Sequence, residues 1–223
     1  MSADVKKQNL RKARRLHTAL DAPTHILYWL EICREAFRSG QEAGQYPSGS
    51  AELGYRLVGI AGNATRAERL AVFNPLYRRV GAPFKWDKRI GYINRDGKGP
   101  AIDALLDRLI HERSALYILE FQEEAVGMCF ISQPKGRIDC VEIEKFGLFP
   151  EFKGRGHGRH FLTMIFGELF EKYNLVELNT RSTNQPGIVE FYESMGMTCR
   201  EASEQPTDIM SDAEFEDWYN QSA

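Results

Sequence analysis

The chain has 223 residues, 43% hydrophobic and 27% charged, which suits one domain with a buried core and a water-soluble surface. The formal net charge is only −2, and the longest wholly apolar run near the N-terminus, residues 26–30, is too short to span a membrane. Four cysteines form no C-x-x-C pair and no metal-ligand spacing, so we expect reduced thiols, no metal and a cytoplasmic protein.

The two ends of the chain carry opposite charge. Residues 1–20 contain six basic residues and one acidic residue, whereas residues 201–223 contain seven acidic residues and no Lys or Arg. The basic end could dock nucleic acid or another anionic partner, or act as a transit peptide. It could equally be a solvated helix whose apolar face comprises Leu10, Ala13, Leu16 and Leu20.

A second helix is predicted over residues 24–37, because apolar residues recur there at spacings of three and four. The following stretch, residues 39–54, is rich in Gly and Ser and is typical of a linker. We therefore divide the chain into a helical N-terminal arm with its linker, residues 1–50, and a main domain, residues 51–223.

Strands and helices alternate along the main domain. Thr65 and Glu68 form a capping box that opens a helix, which we expect to break near Pro75. The predicted strands are residues 55–60, 116–121, 125–132, 140–149, 175–179 and 197–200, with a further strand at 207–210. The other predicted helices are residues 100–111, one beginning near 159, 186–194 and one beginning at Ser211. This order predicts an α/β domain.

A glycine-rich turn joins the strand that ends at Pro150 to the helix after it. Glycines occupy alternate positions, Gly154, Gly156 and Gly158, and apolar residues at helical spacing follow. A helix start presents unpaired N–H groups and a partial positive charge, and glycines let a ligand approach closely. Side-chain donors surround this turn: Lys153, Arg155, Arg159 and His160. The pattern predicts a phosphate cradle.

Two phosphate-binding motifs are excluded, and a third fits. No Gly-Lys-Ser or Gly-Lys-Thr occurs, so the turn is not a P-loop, and the third glycine of a dinucleotide fingerprint is missing. The remaining motif, K-x-x-G-x-G from Lys153 to Gly158, resembles the R/Q-x-x-G-x-G/A turn of the GNAT superfamily of acyl-CoA-dependent N-acyltransferases. The segments FGLFPEFKGRGHGRHFL and LVELNTRSTNQPGIVEFYESMGM resemble consecutive units of that family. The resemblance covers residues 115–200, and more weakly residues from 53.

The resemblance implies a GNAT-like α/β fold: a mixed, mostly antiparallel sheet of six or seven strands with helices on both faces, here preceded by the helical arm. It implies acetyl-CoA as co-substrate and acetyl transfer to a primary amine, of a small molecule or a protein, by direct attack. Two alternatives stay open: an acyl-CoA-binding module without turnover, and an enzyme that docks on a protein or nucleic acid through its basic arm. The implied acetyl-CoA-binding residues are Phe146, Gly147, Leu148, Lys153, Gly154, Arg155, Gly156, His157, Gly158, Arg159 and Asn184.

Acetyl transfer to an amine requires a proton acceptor. The pKa of an alkylammonium, near 10.4, lies about three units above pH 7. Removing its proton at that pH therefore costs roughly 4 kcal/mol of free energy. Because strand side chains alternate, Glu142 and Glu144 should share one face with Phe146. By resemblance, one of the two glutamates is the base, although both could instead be solvated carboxylates or partners in ion pairs.

The remaining candidates each have a structural alternative. By resemblance, Tyr192 protonates the departing thiolate, yet it could simply pack on the sheet or position the thiol. Asn184 is similar to a family residue that contacts pantetheine, but it could cap the next helix. The aromatic residues Tyr77, Phe84 and Trp86 precede the acceptor pocket by resemblance and could also be ordinary packing residues.

Overall fold

A seven-stranded sheet forms the centre of the computed structural model, which describes residues 24–60, 65–81 and 113–206. The sheet order is β2-β3-β4-β5-β6-β1-β7. Only β5 and β6 pair in parallel, and every other pair is antiparallel. The predicted mixed, mostly antiparallel sheet is therefore confirmed. The strands are β1 (Thr24–Cys33), β2 (Tyr55–Gly59), β3 (Ser114–Phe121), β4 (Glu124–Ser132), β5 (Cys140–Leu148), β6 (Leu175–Arg181) and β7 (Thr198–Pro206).

Helices cover both faces of the sheet, as predicted. They are α1 (Arg34–Glu42), α2 (Arg66–Gly81), α3 (His157–Phe170) and α4 (Ile188–Ser194), with a 3-10 turn at Pro150–Phe152. Aromatic and aliphatic residues of α3 pack on one face of the sheet, and Phe73, Tyr77 and Val80 of α2 pack on the other. Apart from the segments that are not described, no helix is long and apolar enough to cross a membrane.

The helix predicted over residues 24–37 was wrong for its first ten residues. Thr24–Cys33 forms β1, which lies inside the sheet between β6 and β7, and α1 begins only at Arg34. Alternate residues Ile26, Tyr28, Leu30 and Ile32 are buried at 1–6% exposure, which is the two-residue period of a strand. The sequence misled because the opposite face also carries apolar residues, so the alternation was hidden. Residues 24–33 thus belong to the sheet and not to an arm.

Helix α2 begins as predicted but does not break at Pro75. The capping box forms: the Thr65 amide donates to Glu68 Oε2 at 2.7 Å, and the Glu68 amide donates to Thr65 Oγ1 at 3.3 Å. The helix continues through Pro75 to Gly81. Buried side chains on both sides of the proline, Phe73 and Tyr77, pack on the sheet and offset the lost backbone hydrogen bond.

Several predictions fall on residues outside the described ranges. They are the basic segment 1–20, the aromatic residues Phe84 and Trp86, the helix at 100–111, the strand at 207–210 and the helix beginning at Ser211.

The placement of β1 predicts a measurable effect on stability. Leu30 on β1 is 1% exposed, so Leu30→Ala should lower the free energy of unfolding by about 2–5 kcal/mol, through lost burial and the cavity that remains. Urea denaturation followed by circular dichroism measures this loss. Leu53→Ala, at a side chain 55% exposed, is the matched control and should change it by less than about 0.5 kcal/mol. Equal effects of the two substitutions would contradict the buried position of β1 between β6 and β7.

Candidate active site

A fork between two parallel strands creates the main cleft of the described structure. Strands β5 and β6 pair only as far as Ile143 and Leu178, although β5 continues to Leu148 and β6 to Arg181. Beyond that pair the strands separate around a cleft of about 570 Å³. Backbone donors and acceptors of β5 line this cleft at Phe146, Gly147 and Leu148. A ligand in the fork can therefore use strand hydrogen-bonding groups that a neighbouring strand would otherwise occupy.

A β-bulge at Glu144 changes which side chains share a face. In the pairing of β4 with β5, Phe130 lies opposite Lys145 but Ile131 lies opposite Ile143, so Glu144 is an extra residue. The side-chain alternation therefore shifts by one position along the rest of β5.

Phe146 consequently points to the α3 face of the sheet. Its ring centroid lies 5.1 Å from that of Phe161 on α3, and it packs with the same cluster as Ile143. Glu144 instead accepts a hydrogen bond from Ser132 Oγ at 2.7 Å. The prediction that Glu142, Glu144 and Phe146 share one face was wrong for Phe146, because the sequence does not reveal the bulge.

The two glutamates lie on the α2 face, at the point of the fork. Glu144 lines the cleft, and Glu142 lies behind it, where its Oε1 accepts a hydrogen bond from Asn179 Nδ2 at 2.8 Å. Burial raises the pKa of Glu142 to about 7, and the negative charge of Glu144 raises it further in the same direction. The Asn179 hydrogen bond opposes this shift. Glu142 can therefore exchange a proton near neutral pH.

Tyr192 lies on the opposite, α3 side of the cleft. It belongs to α4, is 6% exposed and lines the cleft next to Phe191. Its ring centroid lies 6.4 Å from that of Phe146. Burial raises the pKa of the Tyr192 hydroxyl well above its ordinary value, with the nearby Cys129 thiol acting in the same direction. The phenol therefore keeps its proton at neutral pH and can donate a hydrogen bond.

The glycine turn closes one end of the cleft. Gly154 and Gly156 have φ angles of +73° and +86°, a left-handed conformation that glycine adopts without strain, and Gly156 is the N-cap of α3. Both glycines and Gly158 line the cleft. The N-terminus of α3 and its unpaired N–H groups thus reach the cleft, which is the arrangement that binds phosphate.

The side-chain donors around the turn divide into two groups. Lys153 lines the cleft, and burial lowers the pKa of its ammonium. Arg159 also lines it, while its guanidinium donates to Ser194 Oγ and to the carbonyl of Gln45, both at 3.0 Å. Neither of the other two predicted contacts lies on the cleft wall: Arg155 is exposed, and the His157 side chain is buried elsewhere.

Asn184 and Tyr77 both line the cleft. The Asn184 amide donates to Thr180 Oγ1 at 2.7 Å, and α4 begins at Ile188 without a side-chain cap, so Asn184 does not cap that helix. Tyr77 is fully buried, and its ring stacks on Phe73 with centroids 5.4 Å apart.

Sequence reasoning missed several residues of the cleft wall. Lys145 was hidden by the bulge, and Asn179 and Arg181 of β6 were not considered. The sequence does indicate Asn179 and Arg181, because they alternate with Val176 and Leu178, which form the apolar face of the strand. No group of three or more His, Cys, Asp or Glu residues that could hold a metal ion occurs within residues 24–60, 65–81 and 113–206.

A forked sheet with a glycine turn of this kind is typical of an acyltransferase fold. The model of the Acetyltransferase (GNAT) family matches residues 83–197, more than half of the chain, so the chain belongs to this family. No curated protein matches the sequence.

One solved structure shares this fold at low sequence identity, and a second was also matched. A conserved protein of unknown function from Staphylococcus epidermidis is 13% identical, with a TM-score of 0.53, over 92% of this chain and 66% of its own. A GNAT-family protein from Novosphingobium aromaticivorans is 14% identical, with a TM-score of 0.47, over 81% of this chain and 62% of its own. The chain thus spans less than two thirds of the length of these two structures.

The carboxyl pair predicts a measurable titration. Glu144→Gln removes the nearby negative charge, so the pKa of Glu142 should fall below about 7 in that variant. Carbon-detected NMR of the labelled carboxyl follows this shift. Because the pKa of Glu142 is raised on folding from 4.5, its contribution to stability is present below that value and is lost as the pH rises through about 7.

The control for this titration is Glu124→Gln, at the exposed start of β4. It should leave the Glu142 titration unchanged, and an equal shift in the two variants would contradict the proposed charge coupling.

Proposed function

We propose that the protein is an N-acetyltransferase that moves the acetyl group of acetyl-CoA to a primary amine by direct nucleophilic attack. One observation supports this proposal: the cleft beside the fork is lined both by the glycines at the start of α3, an arrangement that suits a phosphate, and by Glu144, which lies next to Glu142. Donor and acceptor sites can therefore meet at the strand backbone between them.

The donor is proposed to enter along β5. The pyrophosphate would accept hydrogen bonds from the N–H groups at the start of α3, with Lys153 supplying positive charge. The pantetheine arm would pair with the backbone of residues 146–148 as an additional strand, with Asn184 beside it. One backbone N–H of this segment would polarise the thioester carbonyl as an oxyanion donor.

The acceptor amine is proposed to approach from the α2 face, where both glutamates lie. A carboxylate with an ordinary pKa of about 4.3 is about six units below an alkylammonium, which is roughly 8 kcal/mol of unfavourable proton transfer. A pKa of about 7 at Glu142 reduces that gap by nearly half. We therefore assign Glu144, on the cleft wall, to hold the ammonium, and Glu142, behind it, to accept the proton through water.

The chemical step then needs no covalent enzyme intermediate. The amine nitrogen attacks the thioester carbon, the carbon–sulfur bond breaks, and the sulfur leaves as a thiolate that takes up a proton. Full proton transfer from Tyr192 is uphill, because its raised pKa lies further above a thiol's ordinary value of about 8.5. Tyr192 would stabilise the thiolate mainly by donating a hydrogen bond, and the net proton would come from the attacking amine.

A thiol-release assay with acetyl-CoA and a panel of primary amines tests this proposal. The wild type should release CoA only when an accepted amine is present. Glu142→Gln should lower the rate at neutral pH by about 10²- to 10⁴-fold, since general bases contribute about that much. Glu144→Gln should also lower the rate, because the ammonium loses its partner. Part of the rate should return at higher pH, where the amine loses its proton without help.

The outcome distinguishes the roles of the two carboxyls. Glu142→Gln should change mainly the pH profile, whereas Glu144→Gln should also raise the KM for the amine. If both variants kept the parental pH–rate profile, the base would have to lie elsewhere.

Binding of acetyl-CoA is tested separately by calorimetry with Gly156→Glu. An added Cβ meets no clash, since nothing lies within 4 Å of it. The carboxylate of the new side chain would, however, occupy the proposed pyrophosphate site and repel the pyrophosphate. Affinity should fall by at least about tenfold. Gly156→Ala shares the left-handed strain without the charge, so it is the matched control and should bind more tightly than Gly156→Glu.

A protein that binds acyl-CoA without turnover is the alternative. It would bind acetyl-CoA in the calorimeter, lose that binding in Gly156→Glu, and release no thiol with any amine of the panel.

A further inference from the structure

The first turn of α3 has no side-chain cap at its N-terminus, although its third residue, Arg159, is held to Ser194 and Gln45. Its N-cap is Gly156, which provides no side-chain hydrogen bond, and Gly154 and Gly156 can both adopt many backbone conformations. Helix starts that lack a side-chain cap are less well defined. A phosphate site built from backbone N–H groups requires that their directions be constant, so something else must hold this turn.

Two histidines of α3 provide that anchor from the side away from the cleft. His157 and His160 are three positions apart and so project from one side of the helix. The Tyr55 hydroxyl lies 2.7 Å from His157 Nδ1, and the Tyr55 ring stacks on His160 with centroids 4.4 Å apart and planes at 15°. Ser50 Oγ lies 2.9 Å from His160 Nδ1.

The partner of these histidines belongs to the edge strand of the sheet. Tyr55 begins β2, is 8% exposed and pairs with Phe121 of β3. The Phe121 ring also packs on His157, with centroids 5.0 Å apart. Burial, followed by the charge of Arg155, lowers the pKa of His157, so its imidazole is neutral at neutral pH and can accept a hydrogen bond from the phenol.

We propose that Tyr55, acting through His157, positions the glycine turn for binding the diphosphate of acyl-CoA. The inference rests on the proposed function and adds to it a residue that touches no part of the cleft. The hydrogen bond crosses from the edge of the sheet to the first residue of α3, so it sets the direction of the adjacent N–H groups. Tyr55 is therefore a positioning residue, and it lies 102 positions from its partner in the chain.

The variant Tyr55→Phe tests the proposal. It keeps the ring that stacks on His160 and removes only the hydroxyl. The KM for acetyl-CoA should rise about 5- to 30-fold, the factor that corresponds to one buried hydrogen bond, while kcat stays close to the wild-type value.

A donor without phosphates separates positioning from general damage. S-acetylpantetheine has the thioester and the pantetheine arm but no diphosphate, so the wild type and Tyr55→Phe should use it with equal kcat/KM. The matched control is Tyr46→Phe, which also removes a buried hydroxyl from the same segment. That hydroxyl donates to the carbonyl of Met195 at 3.1 Å and to neither histidine, so the rise in the KM for acetyl-CoA should be absent or smaller than in Tyr55→Phe.

Each result decides the question. Equal losses with both donors would make Tyr55 merely structural, and an unchanged KM for acetyl-CoA would overturn the positioning role. A wild type that neither binds nor uses acetyl-CoA would overturn the proposed function first. Should Tyr55→Phe fail to fold, His157→Asn provides the same comparison of the two donors, and a defect that is confined to acetyl-CoA again supports the proposal.

Discussion

The parting of β5 from β6 is the constraint on which the rest of the site depends. Parallel pairing ends at Ile143 and Leu178, and both strands continue beyond it. Backbone groups that leave a ladder must find other partners, since an unsatisfied buried amide costs about 1–3 kcal/mol. The fork is therefore stable only if each of its two strands pairs with another strand on its outer side, and if the gap between them is open to water or a ligand.

Both strands of the fork have such a partner. Strand β4 pairs with β5 as far as Leu148, and β1 pairs with β6 along its whole length, from Leu175 to Arg181. Strand β1 is the segment that we predicted, from the spacing of its apolar residues, to be part of the helical N-terminal arm. Its position gives this segment an indirect role in the cleft, because it pairs with the outer edge of β6, the strand that carries Asn179.

The bulge at Glu144 separates Phe146 from the two glutamates. Without the extra residue, Phe146 would point to the same face as the glutamates. With it, Phe146 packs against α3 near Tyr192, while Glu144 faces α2 and is held by Ser132. In the proposed mechanism, the leaving group and the proton acceptor would therefore lie on opposite sides of one strand.

The sequence by itself determined the features that depend on neighbours in the chain. Three alternate glycines before a helical pattern specified the turn, Thr65 and Glu68 specified a helix start, and two motifs in order indicated the family. Only the tertiary structure decided the strand β1, the bulge and the contact between Tyr55 and His157. Each of these joins residues distant in sequence: β1 with β6, β4 with β5, and β2 with α3. Local propensity cannot reveal them, because the partner strand selects the register and the burial that make one conformation more stable than another.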